Sequence, residues 1–216
     1  MHKNGSSVST HFSNPDNVGG NFDNTVKTMK LHIFGASGSG VTTLGQLLAK
    51  KIDVKYFDSD DYFWLKTEPP FTQRRDPKER NKLIAKDINE TENWILGGSI
   101  INWGENLFPD FDLIIFLYLP NEIRIERLKE RELERYGDII YTDPKRAKQF
   151  NDFIDWAKDY DHNTGIANRT LDAHNTWLAQ TKNPVLKIIG NKTLDEKLNL
   201  ILDELVHMKI VELDNR

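Results

Sequence analysis

Residues 30–51, KLHIFGASGSGVTTLGQLLAKK, constrain the fold more than any other part of this 216-residue chain. An apolar run ends in a loop carrying Gly35, Gly38 and Gly40. The loop passes directly into a helical pattern with Leu44, Leu47 and Leu48 at core-facing spacing. Glycines let such a loop turn back and present successive backbone N–H groups, and the helix start adds the positive end of its dipole. Together these form an anion site that needs no cationic side chain. The spacing is that of a phosphate-binding loop, G-x-x-x-x-G-K-[ST], with one departure: Val41 stands at the lysine position.

Gly35, Ser37, Gly38, Ser39, Gly40, Val41, Thr42 and Thr43 are the expected nucleotide contacts, and Thr42 is placed to offer its hydroxyl to Mg2+. The usual lysine reaches the β- and γ-phosphates and neutralises charge that moves in the transition state. By analogy with deletion of an oxyanion-hole donor, its loss costs about 3–4 kcal/mol, or about 10²–10³ in rate. A cation from elsewhere in the chain is needed to recover that loss.

Short β-rich runs at residues 30–34, 54–58, 94–96, 112–119 and 185–189 alternate with helical patterns at 43–51, 77–91, 121–136, within 143–180, and at 194–207. Near-continuous apolar strands separated by helices indicate an α/β fold of three layers around a parallel sheet, with ligands at the strands' carboxyl ends. The longest interval between strands, from Pro120 to Pro184, exceeds one helix. It is expected to hold a helical lid within about residues 128–180.

That interval opens with NEIRIERLKERELERYG, in which Arg124, Arg127, Arg131 and Arg135 recur at helical spacing on one face. Stacked like charges repel unless anions lie nearby. Arg127 and Arg131 are therefore expected to contact polyphosphate and assist catalysis, the end positions less so, with Arg169 in GIANRTLDAH a further candidate. The plainer alternative is a solvated face of i,i+3 ion pairs such as Glu132–Arg135.

YFDSDDYFW places Asp58, Asp60 and Asp61 just after the second strand. Asp58 is assigned to the magnesium sphere and Asp60 to a proton on the acceptor, since residues two apart in extended chain share a side; Asp61 is expected to cap the next turn. Gly97, Gly98 and Ser99 end the third strand, where two glycines permit close approach of an acceptor to backbone N–H groups; the alternative is a structural tight turn. In FTQRRDPKER, Arg74 is favoured over Arg75 as a clamp for an anionic acceptor. The aromatics Tyr62, Phe63, Trp64 and Phe71 read mainly as core.

A net charge of -4 argues against a nucleic-acid partner. The absence of cysteine excludes disulfides and thiolate chemistry and fits a cytoplasmic location. No apolar run reaches membrane-spanning length, and the six histidines are not spaced as a ligand set. Residues 1–28, rich in Asn, Ser and Gly, read as a disordered extension, with Met29 at the start of a folded domain over 29–216.

On these residues the chain resembles the small P-loop kinases of the adenylate, shikimate and gluconate kinase group, and bacterial adenylate kinase-like AAA-family ATPases. The resemblance covers about residues 29–205 and rests on GASGSGVTT, FDSDDYFW, LGGS and RIERLKERELER. It implies a sheet order of 2-3-1-4-5, ATP and Mg2+ as cofactors, and donor phosphates straddled by Arg127 and Arg131. It also implies acceptor contacts at Asp60 and Gly97–Ser99, with adenine near the loop of Gly190, Asn191, Lys192 and Thr193. The chain lacks the Asp-Gly pair that nucleoside monophosphate kinases carry after strand three, so a small hydroxylated acceptor fits better than AMP. The expected function is ATP-dependent phosphotransfer to such a metabolite; the alternative is a catalytically reduced nucleotide-binding sensor. Deleting residues 1–28 is expected to leave Tm nearly unchanged in a thermal melt.

Overall fold

The computed structural model describes residues 28–104 and 106–211, so nearly all of the expected N-terminal extension lies outside the described residues. Five strands, β1 (Lys30–Gly35), β2 (Lys55–Asp58), β3 (Trp94–Gly97), β4 (Leu113–Tyr118) and β5 (Val185–Ile189), form one parallel sheet. Their order is β2-β3-β1-β4-β5, as expected from the sequence. The helices are α1 (Val41–Lys51), α2 (Ser59–Phe63), α3 (Pro77–Asn89), α4 (Asn121–Tyr136), α5 (Ile139–Thr142), α6 (Pro144–His162), α7 (Leu171–Gln180) and α8 (Leu194–His207).

Alternation along the central strands sorts their side chains into two cores. Leu31 and Ile33 of β1 with Leu113, Ile115 and Leu117 of β4 face Leu44 and Leu48 of α1 and Ile201 and Leu205 of α8. Phe34 of β1 with Ile114 and Phe116 of β4 face Ile84 and Ile88 of α3 and Leu178 of α7. Burial on both faces explains why β4, LIIFLY, is apolar at every position except its last. A separate cluster of Ile125, Leu128, Ile140, Phe150, Ile154 and Ala157 holds α4, α5 and α6 together, so the accessory helices carry their own small core.

Helix starts follow local chemistry. Asp76 accepts from Lys78 N and Glu79 N ahead of Pro77, and Thr193 with Glu196 forms a reciprocal capping box on α8. Differences from the sequence expectation are equally local. The Asp58 carboxylate accepts from Asp60 N at 3.0 Å and nucleates the unexpected helix α2. Asp58 and not Asp61 is therefore the cap, and Asp58 and Asp60 do not share an extended run.

Gly35 ends β1 where no side chain fits: a Cβ there would lie 2.4 Å from the Leu117 carbonyl oxygen of the neighbouring strand. Gly35→Ala is expected to destabilise the protein by about 1–3 kcal/mol, the cost of overpacking, measured by urea denaturation.

Candidate functional site

The loop between β1 and α1 is built for exposed amides. Ser39 N donates to Ala36 O at 3.1 Å, closing a turn, while Gly38 and Gly40 adopt positive φ of 83° and 92°. Thr42 and Thr43 are solvent-exposed on the first turn of α1, whereas the half-buried Val41 packs against the apolar layer beneath α1 and α8. The aliphatic residue at the lysine position thus packs against the edge of the core. Ser39 Oγ is buried with no hydrogen-bond partner among the described residues.

The four arginines share one face of α4 but do not act alike. Arg124 is fully buried and bonds Leu119 O (3.0 Å), Ser37 O (3.3 Å), Ala157 O (3.3 Å) and Asn121 Oδ1 (3.3 Å), and it pairs with Asp161. It therefore holds the phosphate loop to α6. Arg127 donates to Asn191 Oδ1 at 3.0 Å and lines, with Gly40, Thr43, Asn191, Lys192, Thr193, Leu194 and Lys197, a hollow of about 340 Å³. Arg131 contacts Glu132 Oε1 at 3.2 Å and lies near enough to Asp60 to favour its ionised form. Arg135 pairs with Glu132 at 3.6 Å, as the ion-pair alternative expected, and stacks on Phe71.

Thr42 Oγ1 donates to Asp58 Oδ2 at 2.9 Å, joining the loop to the end of β2. Among the described residues no group of three or more His, Cys, Asp or Glu is arranged to hold a metal. A hydroxyl and a single carboxylate fit Mg2+, which takes one or two protein oxygens and keeps waters and phosphate oxygens as its other ligands. Asp60 is open to solvent but crowded by protein. That partial desolvation, followed by repulsion from Asp58, raises its pKa, and Arg169 and Arg131 offset the rise.

Beyond Asp60 the half-buried Phe63 ring is ringed by cations. The guanidinium carbons of Arg169, Arg74 and Arg80 lie 4.9, 5.6 and 6.0 Å from its centre, and Arg80 also covers Trp103 at 4.0 Å. Burial and then the neighbouring Arg169 charge lower the Arg80 pKa. Arg74 lies over the Phe63 and Trp64 rings, while Arg75 is committed to backbone carbonyls of Tyr62 and Trp64. Arg80 was missed by the sequence reading; its signal was a charge in register with Ile84 and Ile88, four and eight residues on.

The turn before Arg169 is fixed by Asp159, whose carboxylate accepts from Thr164 N and Oγ1 at 2.6 Å and from Ala167 N at 2.7 Å. Those bonds, led by that from Ala167 and then by the Thr164 hydroxyl, lower its pKa to about 2.

The Gly97–Ser99 turn has a different role from the one expected. A Cβ at Gly97 would meet Tyr56 Oη at 1.9 Å and one at Gly98 would meet Ser59 Oγ at 2.0 Å. Gly98 N already donates to Ile33 O. Ser99 is buried with its hydroxyl 3.2 Å from His174 Nε2, and His174 Nδ1 lies 2.8 Å from Tyr160 Oη. The glycines make room for neighbouring side chains, and Ser99 braces the site from behind. Burial lowers the His174 pKa to about 3, so its ring is neutral.

A phosphate loop at the carboxyl end of β1, a hydroxyl–carboxylate pair beside it and a cation-lined cleft define a P-loop protein of the kinase-like class. A family profile described as an AAA domain matches residues 32–151, and the chain belongs to that family. It is similar to the uncharacterized protein YqaC of Bacillus subtilis (strain 168), with 41% identity over 175 residues, covering 81% of this chain and 96% of that protein. It is also similar to a shikimate kinase of Caldicellulosiruptor bescii, 33% identical over 49% of this chain and 69% of that enzyme. A probable gluconokinase of Xenopus tropicalis is 30% identical over 52% of this chain and 72% of its own length. Among the described residues no helix is long and apolar enough to cross a membrane.

The Asp159 carboxylate, with its folded pKa depressed from 3.8 to about 2, contributes stability that is present above pH 3.8 and lost as pH falls through about 2. Asp159→Asn is therefore expected to lower Tm at neutral pH, with the difference from wild type shrinking between those two values in pH-dependent melts.

Proposed function

We propose that this protein transfers the γ-phosphoryl group of ATP to a hydroxyl of a small acceptor that also carries an anionic group such as a carboxylate. The observation that carries this reading is the position of Asp60. It stands between the Thr42–Asp58 pair on the nucleotide side and Arg169, with Arg74 and Arg80, on the other. The similarity to shikimate kinase and gluconokinase, both named for hydroxylated acids, supports the same acceptor class.

In this reading the backbone amides of residues 37–43 and the start of α1 hold the phosphates, and Arg127 and Arg131 close over them. Magnesium held by Thr42 and Asp58 would neutralise charge on the phosphate oxygens. The three arginines around Phe63 anchor the acceptor's anionic group and turn its hydroxyl toward Asp60. Asp60 takes the hydroxyl proton as the new O–P bond forms, and its raised pKa makes it a better base than an ordinary carboxylate. The stacked aromatic wall of Phe63 and Trp103 limits water on that side.

A nucleotide-binding sensor without turnover is the second reading, favoured by one observation: the half-buried Val41 packs against the core and supplies no charge. Acceptor-stimulated ADP formation separates the two. With Mg-ATP and a panel of small hydroxylated carboxylates and phosphates, at least one acceptor is expected to accelerate ADP release; a uniformly flat panel would favour the sensor. Asp60→Asn is expected to lower acceptor-dependent kcat by about 10²–10⁴-fold with ATP binding retained. Arg80→Met should instead raise the acceptor KM.

A further inference from the structure

Lys197 is 6% exposed, on the buried side of α8 in register with Ile201 and Leu205. Among the described residues it has no ion-pair or side-chain hydrogen-bond partner. The nearest carboxylate in sequence, Glu196, is already committed, its Oε2 accepting from Thr193 N at 2.7 Å. Lys197 lines the hollow that holds Gly40 and Thr43 of the phosphate loop and helix start, together with Arg127 and Lys192. Three cations and no carboxylate face that hollow. Partial burial and then repulsion from Arg127 lower the Lys197 pKa, so its ammonium, which reaches the hollow, is held there at a modest cost.

A neutral ligand would leave that cost in place, whereas a phosphate entering beside Gly40 and Thr43 would relieve it. Val41, one residue from Gly40, supplies no charge there. We propose that Lys197, reaching in from the neighbouring helix α8, provides the phosphate-neutralising cation that position 41 lacks. This rests on the nucleotide-binding reading above. The plainer alternative is a lysine whose stem merely covers apolar surface while its ammonium meets water.

Calorimetric titration of the full chain with Mg-ATP and, separately, with adenosine tests it, using wild type, Lys197→Met, Val41→Lys and the double variant. Lys197→Met is expected to weaken Mg-ATP binding by about 10- to 100-fold, the range for one lost charge-assisted hydrogen bond, and to leave adenosine binding within about twofold. Val41→Lys is expected to restore much of that loss in the Lys197→Met background and to add little alone. Thermal melts of Lys197→Met should match or exceed wild type, because a partly desolvated charge repelled by Arg127 is removed; if that variant fails to fold, Lys197→Gln carries the same comparison. Equal Mg-ATP affinity in wild type and variant overturns the proposal, as does an equal loss for ATP and adenosine, which would place Lys197 against the base. Wild type that takes up no nucleotide defeats the nucleotide-binding reading itself and this proposal with it, a result distinct from either.

Discussion

The guanidinium of Arg124, sealed inside the protein, grips the Ser37 carbonyl of the phosphate loop with one nitrogen and the Ala157 carbonyl of α6 with the same one. A phosphate loop works through the directions of its backbone amides, and those directions hold only if the loop is braced. Here Gly35 lies hard against the Leu117 carbonyl on one side, and Gly38 against the Arg124 backbone on the other. The charge that does this bracing is balanced by Asp161, so the accessory helices and the phosphate loop form one electrostatic unit. A buried pair of this kind is a poor source of net stability but a strong determinant of position, because removing either partner leaves an uncompensated charge.

The same device, a cation set into an otherwise apolar helical stripe, recurs twice. Arg80 precedes Ile84 and Ile88 on α3 and meets Trp103 and Phe63 above the acceptor side. Lys197 precedes Ile201 and Leu205 on α8 and meets the hollow beside Gly40. Arg124 itself precedes Leu128 on α4. The three stripes serve different ends: one cation is matched by a carboxylate, one faces aromatic rings and other arginines, and one faces a hollow of its own sign. The unmatched two stand where ligand anions are proposed, and the matched one holds the scaffold between them.

Much of the fold and the nucleotide side of the site was legible in the chain because their causes are local. The glycine spacing, the strand before it and the leucines after it all lie within 22 consecutive residues, 30–51. The apolar run of β4 and the caps at Asp76 and Thr193 are equally short-range. The candidacy of Asp58 was legible for the same reason, although its contact with Thr42 and its capping of α2 were not. The acceptor side was only partly legible. Arg74 stood out as an acceptor clamp and Arg169 only as a polyphosphate contact, Arg80 did not stand out, and the glycines of the Gly97–Ser99 turn accommodate Tyr56 and Ser59. Those are contacts between residues 39 and 41 positions apart, which no local pattern encodes.

By itself, the sequence determined an α/β chain with a phosphate loop, its helix and a carboxylate at the end of the next strand, since hydrogen bonding, helical period and glycine conformational freedom act over a few residues. Only the tertiary structure decided which of many similar arginines and lysines brace the fold and which face open clefts. A cation in an apolar stripe has the same local appearance whether it meets a carboxylate, a ring or an empty hollow. Its role is set by the electrostatic surroundings that packing brings to it across the sheet.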